Sequence, residues 1–134
     1  MAEKILVIDD ELDMRIYVST LLETNGYVPL TAKDGEEGMA LARRERPSLI
    51  ILDILMPGMS GLMVFHALRE DPEVKDIPVI ILSAISRKSF SHSLKALSRQ
   101  GGDQFQEPSA YIEKPPEPED LLRAIRESLE GRSG

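Results

Sequence analysis

The chain has 134 residues, 42% of them hydrophobic, enough to bury one core and too few for two full domains. It contains no cysteine, which excludes disulfides and thiolate metal sites, and no apolar stretch reaches membrane-spanning length. Its net charge of -7 opposes direct nucleic-acid binding, and Met1 leads into charged residues and a short apolar run rather than a secretion signal, so a soluble cytoplasmic protein is expected.

In chain order, the first element is a dense apolar run, Ile5 to Ile8, that reads as a strand buried on both faces and ends in Asp9-Asp10. A helical pattern over Leu12 to Asn25 follows, with Ile16, Val18, Leu21 and Leu22 as its apolar positions and Gly26 as its stop. Tyr27 to Thr31 is a weaker strand, and Pro29 within it marks an edge, where a missing N–H is tolerated. Gly35 to Arg46 is helical and is stopped by Pro47. Leu49 to Leu52 is a second dense run, ending in Asp53 and followed by the turn-forming segment from Met56 to Gly61. A helix over Gly61 to Glu70 precedes the third dense run, Val79 to Leu82, which ends in Ser83.

Beyond Ser83, the pattern predicts a helix over Ser86 to Gln100 with Phe90, Leu94 and Leu97 on one stripe. Arg87, Lys88, Lys95 and Arg99 make this helix basic, and it contains no acid. The polar segment Gly101 to Pro108 reads as a lengthened connection. Ala110 to Glu113 is a second weak strand, ending in Lys114, and Pro118 to Leu129 is the last helix. One domain is expected over residues 3–130, with 131–134 as a tail or linker stub.

Alternation of strand and helix forces right-handed crossovers and a parallel sheet covered on both faces. With the rich strands central and the poor ones outside, the expected fold is an α/β doubly wound five-stranded parallel sheet in the flavodoxin-like order 2-1-3-4-5, with an extended region between helix 4 and strand 5. In such a sheet ligands bind beyond the carboxyl ends of the strands, at the crevice between the first and third. Those ends carry Asp9, Asp10, Asp53, Ser83 and Lys114. Three carboxylates in one pocket repel unless a hard cation lies among them, and an all-oxygen set suits Mg2+, or Mn2+ as the alternative. Carboxylates, metal, hydroxyl and ammonium together fit a phosphoryl group, with Asp53 as nucleophile and Asp9 and Asp10 left to hold the metal. Taken singly, Asp9 to Asp13 also fits a helix cap, Asp53 a turn residue and Lys114 a solvated lysine. His66 and His92 read as surface histidines without an acidic partner.

Asp9-Asp10-Glu11, Asp53 with Met56-Pro57 and Gly61, Ser83-Ala84 and Lys114-Pro115 resemble, in order, the receiver domain of two-component response regulators, the CheY-like family. The match covers nearly the whole chain. The resemblance implies that Asp10 and Asp53 ligate the metal with the Leu55 carbonyl, and that Asp9 acts through water. It also implies that Ser83 and Tyr111 form a conformational switch, that Lys114-Pro115 is a candidate cis peptide, and that Leu55 and Ile85 tune hydrolysis of the acyl phosphate. The expected function is then to accept a phosphoryl group on Asp53 from a partner histidine kinase or phosphotransfer protein and to signal, with a downstream target on the helix 4 region and no catalysis beyond self-phosphorylation and autodephosphorylation. Two alternatives are a Mg2+-dependent phosphohydrolase with an aspartyl nucleophile and a non-phosphorylated interaction module. The interval from Ser83 to Lys114 exceeds the family's usual spacing.

Overall fold

A computed structural model of the chain describes residues 2–56, 60–101 and 107–132, and the side chains of all of these except 97–101 and 132. Five strands and five helices alternate: β1 (Lys4–Ile8), α1 (Leu12–Thr24), β2 (Val28–Ala32), α2 (Gly35–Glu45), β3 (Leu49–Leu52), α3 (Gly61–Glu70), β4 (Val79–Ser83), α4 (Arg87–Gly101), β5 (Ala110–Glu113) and α5 (Pro118–Arg132). The strands form one parallel sheet in the expected order β2-β1-β3-β4-β5, with the two strands poor in apolar residues at its edges. None of the helices among the described residues is long and apolar enough to cross a membrane.

Alternate residues of the central strands feed two cores. Leu6, Ile8, Ile50, Leu52 and Ile81 face Met39 of α2, Val64 and Phe65 of α3, and Phe90 and Leu94 of α4. Ile5, Val7, Ile51 and Ile80 face Val18 and Leu22 of α1 and Leu121 and Ile125 of α5. Each fully buried side chain of this size contributes roughly 1.5–3 kcal/mol, so a slip of register on either face is heavily penalised. The register therefore sets the chemistry at the strand ends: Ile8 lies opposite both Ala32 and Leu52. The pairing runs one residue further, with the Asp53 amide donating to the Ile8 carbonyl at 2.9 Å and the Lys114 amide donating to the Ser83 carbonyl at 2.9 Å.

Three expectations need correction. Ile16 is not core: it is 54% exposed, as is Leu12 at 60% one turn earlier, because the stripe that α1 buries runs through Val18 and Leu22 and is joined by Met14 and Leu21. His66 does have an acidic neighbour, Glu70, with Nε2 3.9 Å from Oε1 one helical turn on. And α5 continues to Arg132, into the segment read as a tail, since one exposed glycine, Gly131, costs a helix end only about 1 kcal/mol. On α4, Phe90 and Leu94 are buried while Arg87, Lys88 and Lys95 face outward, as the stripe predicts. The side chains of Leu97 and Arg99 and the segment 102–106 lie outside the described residues, as do Pro57, Gly58 and Met59 of the turn after Asp53.

Candidate functional site: an acidic crevice at the strand ends

Carboxylate oxygens of Asp9, Asp10 and Asp53 lie within 4.8 Å of one another. Among the described residues this is the one place where three such groups converge. Asp9 and Asp53 are buried and Asp10 is exposed. Asp9 Oδ1 accepts from the Glu11 amide at 2.9 Å, and Asp53 Oδ1 accepts from the Leu55 amide at 3.2 Å. Each buried carboxylate thus turns one oxygen to local backbone. The other oxygen faces Lys114, whose Nζ is 3.1 Å from Asp9 Oδ2 and 3.5 Å from Asp53 Oδ2. The nearest carboxylate to that ammonium is a fourth acid, Glu11, with Oε1 at 2.5 Å.

Burial pushes the Asp53 carboxyl above its ordinary range, and the negative charge of Asp9 pushes the same way. Asp9 is likewise raised by burial, against the pull of the Glu11 amide and Lys114. For Lys114, burial alone would favour the neutral amine, but Glu11, Asp53 and Asp9 outweigh it and raise its pKa, so the ammonium stays charged. One ammonium does not neutralise this set. Clustered hard oxygen donors with excess negative charge are what a small divalent cation requires, so the residues present fit a metal ion.

Ser83 is wholly buried, and its Oγ accepts from the Ile85 amide at 3.3 Å. The carbonyl of the same Ile85 accepts from the Tyr111 hydroxyl at 2.5 Å. Ser83 and Tyr111 are therefore joined through the backbone of one intervening residue, Ile85, and the Tyr111 ring packs on Phe90 of α4 with centroids 5.3 Å apart. Half-burial, with Glu113 and Asp53 nearby, pushes the Tyr111 hydroxyl up to about 12, so it remains a donor at every physiological pH. The Lys114-Pro115 peptide is cis.

Two contributors are absent from the expected set. Arg15 Nη1 donates to the Asp9 carbonyl at 2.6 Å, bracing the β1–α1 corner from one turn into α1. Glu11 occupies the N-cap of α1 yet makes no side-chain cap bond. Glutamate is a poor N-cap, so its presence there was the available signal that its carboxylate serves something else. The capping explanation of the acidic run fails for Glu11 for the same reason. A wide surface hollow, about 840 Å³ and bordered by Arg69, Lys75, Asp76 and Glu127, lies at the opposite, amino end of β4 and β5. There the Arg69 guanidinium is committed to the Lys75 and Ile77 carbonyls and to the Phe65 ring, which makes it a structural bracket.

Comparison with known proteins gives a consistent picture. Residues 5–126 match the family model of the response regulator receiver domain. The chain is 39% identical to a probable transcriptional regulator ycf27 of Porphyridium aerugineum over 95% of its length, but spans only 48% of that protein. It is 34% identical to protein PilH of Pseudomonas aeruginosa, covering 96% of this chain and 98% of PilH. Among solved structures, the chemotaxis protein CheY4 of Vibrio cholerae superposes with a TM-score of 0.80 at 30% identity, over 96% of this chain and 99% of that one.

Proposed function

The chain belongs to the response regulator receiver family, a phosphoacceptor module of two-component signalling, and on that premise we propose that Asp53 is the residue that takes the phosphoryl group. One observation carries the assignment. Asp53 follows the central strand β3, is buried, directs Oδ2 toward the Lys114 ammonium, and has a carboxylate oxygen within 4.8 Å of those of Asp9 and Asp10. In the reaction an Asp53 carboxylate oxygen attacks the phosphorus of a partner phosphohistidine; the P–O bond forms, the P–N bond breaks, and the imidazole leaves with the bonding pair and is protonated.

Asp10 and Asp53, with the Leu55 carbonyl, and Asp9 through water, would hold Mg2+, or Mn2+ as the alternative, whose chemistry there is neutralisation of the phosphoryl oxygens. Lys114 supplies the remaining positive charge from the β5 side. Ser83 offers a hydroxyl donor to a phosphoryl oxygen, and any movement of it is passed through the backbone of Ile85 to Tyr111 and so to the α4–β5 face. These steps amount to self-phosphorylation and autodephosphorylation in the service of regulation, not turnover of a metabolite. The phosphodonor is a histidine kinase or phosphotransfer protein, and the downstream target docks on the α4 region.

A hydrolase with an aspartyl nucleophile would want an acid two residues after it, and that position is the apolar Leu55, 55% exposed at the rim. A silent interaction module would not need Asp9, Asp10, Asp53 and Lys114 assembled together. The deciding experiment is incubation with a small phosphodonor and Mg2+ read by intact mass. One added phosphoryl group is expected, lost in Asp53→Asn, and full labelling of that variant would overturn the assignment.

A further inference from the structure

The shortest ion pair in the crevice is the one that the reaction does not use. Lys114 Nζ lies 2.5 Å from Glu11 Oε1, nearer than to Asp9 Oδ2 at 3.1 Å or Asp53 Oδ2 at 3.5 Å. Glu11 has no competing local duty: its side chain caps nothing, and it is its backbone amide that bonds Asp9. We propose that Glu11 is the resting partner of Lys114 and competes with a phosphoryl group on Asp53 for its ammonium, so that this pair sets how readily phosphorylation engages the lysine. The proposal rests on Asp53 being the phosphoacceptor.

Burial decides which partner of Lys114 gives way. An ammonium has three N–H donors, and in the resting protein they are shared among three carboxylates. A phosphoryl group on Asp53 takes that carboxylate's place beside the ammonium with more charge and more acceptor oxygens, and any further N–H donor it draws comes from Asp9 or Glu11. Asp9 is 2% exposed and would be left as a bare buried anion, which is costly. The Glu11 side chain is 60% exposed, and water replaces the lost bond at little cost. Glu11 is therefore the one that releases. Because its carboxylate is largely solvated, the competition is modest, and removing it strengthens phosphoryl engagement by about two- to fivefold.

Two measurements test this. In the unphosphorylated protein, Glu11→Gln should shift the side-chain 15Nζ resonance of Lys114, whereas Asp13→Asn, which removes an exposed charge from the same helical turn, should leave it in place. With beryllium trifluoride and Mg2+ as a non-covalent phosphoryl mimic, Glu11→Gln should bind about two- to fivefold more tightly than wild type, and the gap should shrink in 1 M salt. Asp13→Asn should show no such gain, and Glu11→Gln should have no effect in a Lys114→Met background. An unmoved resonance, wild-type affinity in Glu11→Gln, an equal gain in Asp13→Asn, or a gain that persists without Lys114 would each overturn the proposal. Failure of the Asp53 assignment would look different: no variant, nor the wild type, would bind the mimic or gain phosphoryl mass.

Discussion

Gly61, the first residue of α3, stands directly against the backbone of Asp53: a Cβ at that position would lie 2.0 Å from the Asp53 carbonyl oxygen and 2.4 Å from the Ile54 Cα. The Gly61 amide also donates to the Ile54 carbonyl at 3.0 Å. Only a residue without a side chain lets the chain return so close to the proposed phosphoacceptor. Gly61→Ala is expected to destabilise the fold by about 1–3 kcal/mol, since backbone on both sides of the contact must shift. It should also slow phosphoryl uptake by displacing Asp53. Urea denaturation and intact mass check both effects, and an unchanged midpoint would contradict the contact.

Metal binding should depend on pH in a definite direction. Burial raises both Asp9 and Asp53 above the usual carboxylate range, so protons compete with the metal at a higher pH than they would for a solvated aspartate. Mg2+ affinity should be full where both are ionised and decline as pH falls through their raised values, before ordinary carboxylates titrate. A Mg2+ titration across pH, with Asp53→Asn as reference, reads this. Affinity that is flat down to the range of an unperturbed carboxylate would refute it.

On the proposed assignment, Asp10 and Lys114 act on different charges. Asp10→Ala should weaken Mg2+ binding severely, because it removes one of the three clustered carboxylates. Lys114→Ala should leave Mg2+ affinity nearly intact but uncouple phosphorylation from the conformational change. Equal impairment of metal binding in the two variants would show that the roles are not separate.

The acyl phosphate should be long-lived. Leu55 at the rim and Ile85, half-buried after β4, are both apolar and should hinder an attacking water. An acid or amide at either position should accelerate loss of the phosphoryl group, measured as decay of the labelled mass. Unchanged or slower decay in both would count against the idea.

The outward face of α4 presents Arg87, Lys88 and Lys95 on a protein of net charge -7, and this contrast suits an acidic partner surface. Reversing Lys95 and Arg99 to Glu, and separately shortening Gln100 to Pro108, should spare phosphoryl uptake while binding to the downstream partner falls and becomes less salt-sensitive. Undiminished partner binding in both variants would remove α4 as the docking face.

The sequence by itself determined a parallel sheet and which strands lie at its edges, and the flavodoxin-like pattern supplied the full order 2-1-3-4-5. Ile5 to Ile8, Leu49 to Leu52 and Val79 to Leu82 are apolar at every position, and only a strand covered on both faces accommodates that, whereas Pro29 restricts β2 to an edge. From that order alone Asp9, Asp10, Asp53, Ser83 and Lys114 follow to one edge, because parallel strands all end on the same side. The His66–Glu70 pair is also legible in the sequence, the two residues being one helical turn apart. What only the tertiary structure decided are contacts between residues with no local relation. Glu11 meets Lys114 across 103 positions, Tyr111 reaches the Ile85 carbonyl across 26, and Gly61 presses on Asp53. Periodicity reports which face of an element is buried, but not which side chain crosses a crevice to another element. That depends on distances of a few tenths of an ångström, set by how the helices settle on the sheet.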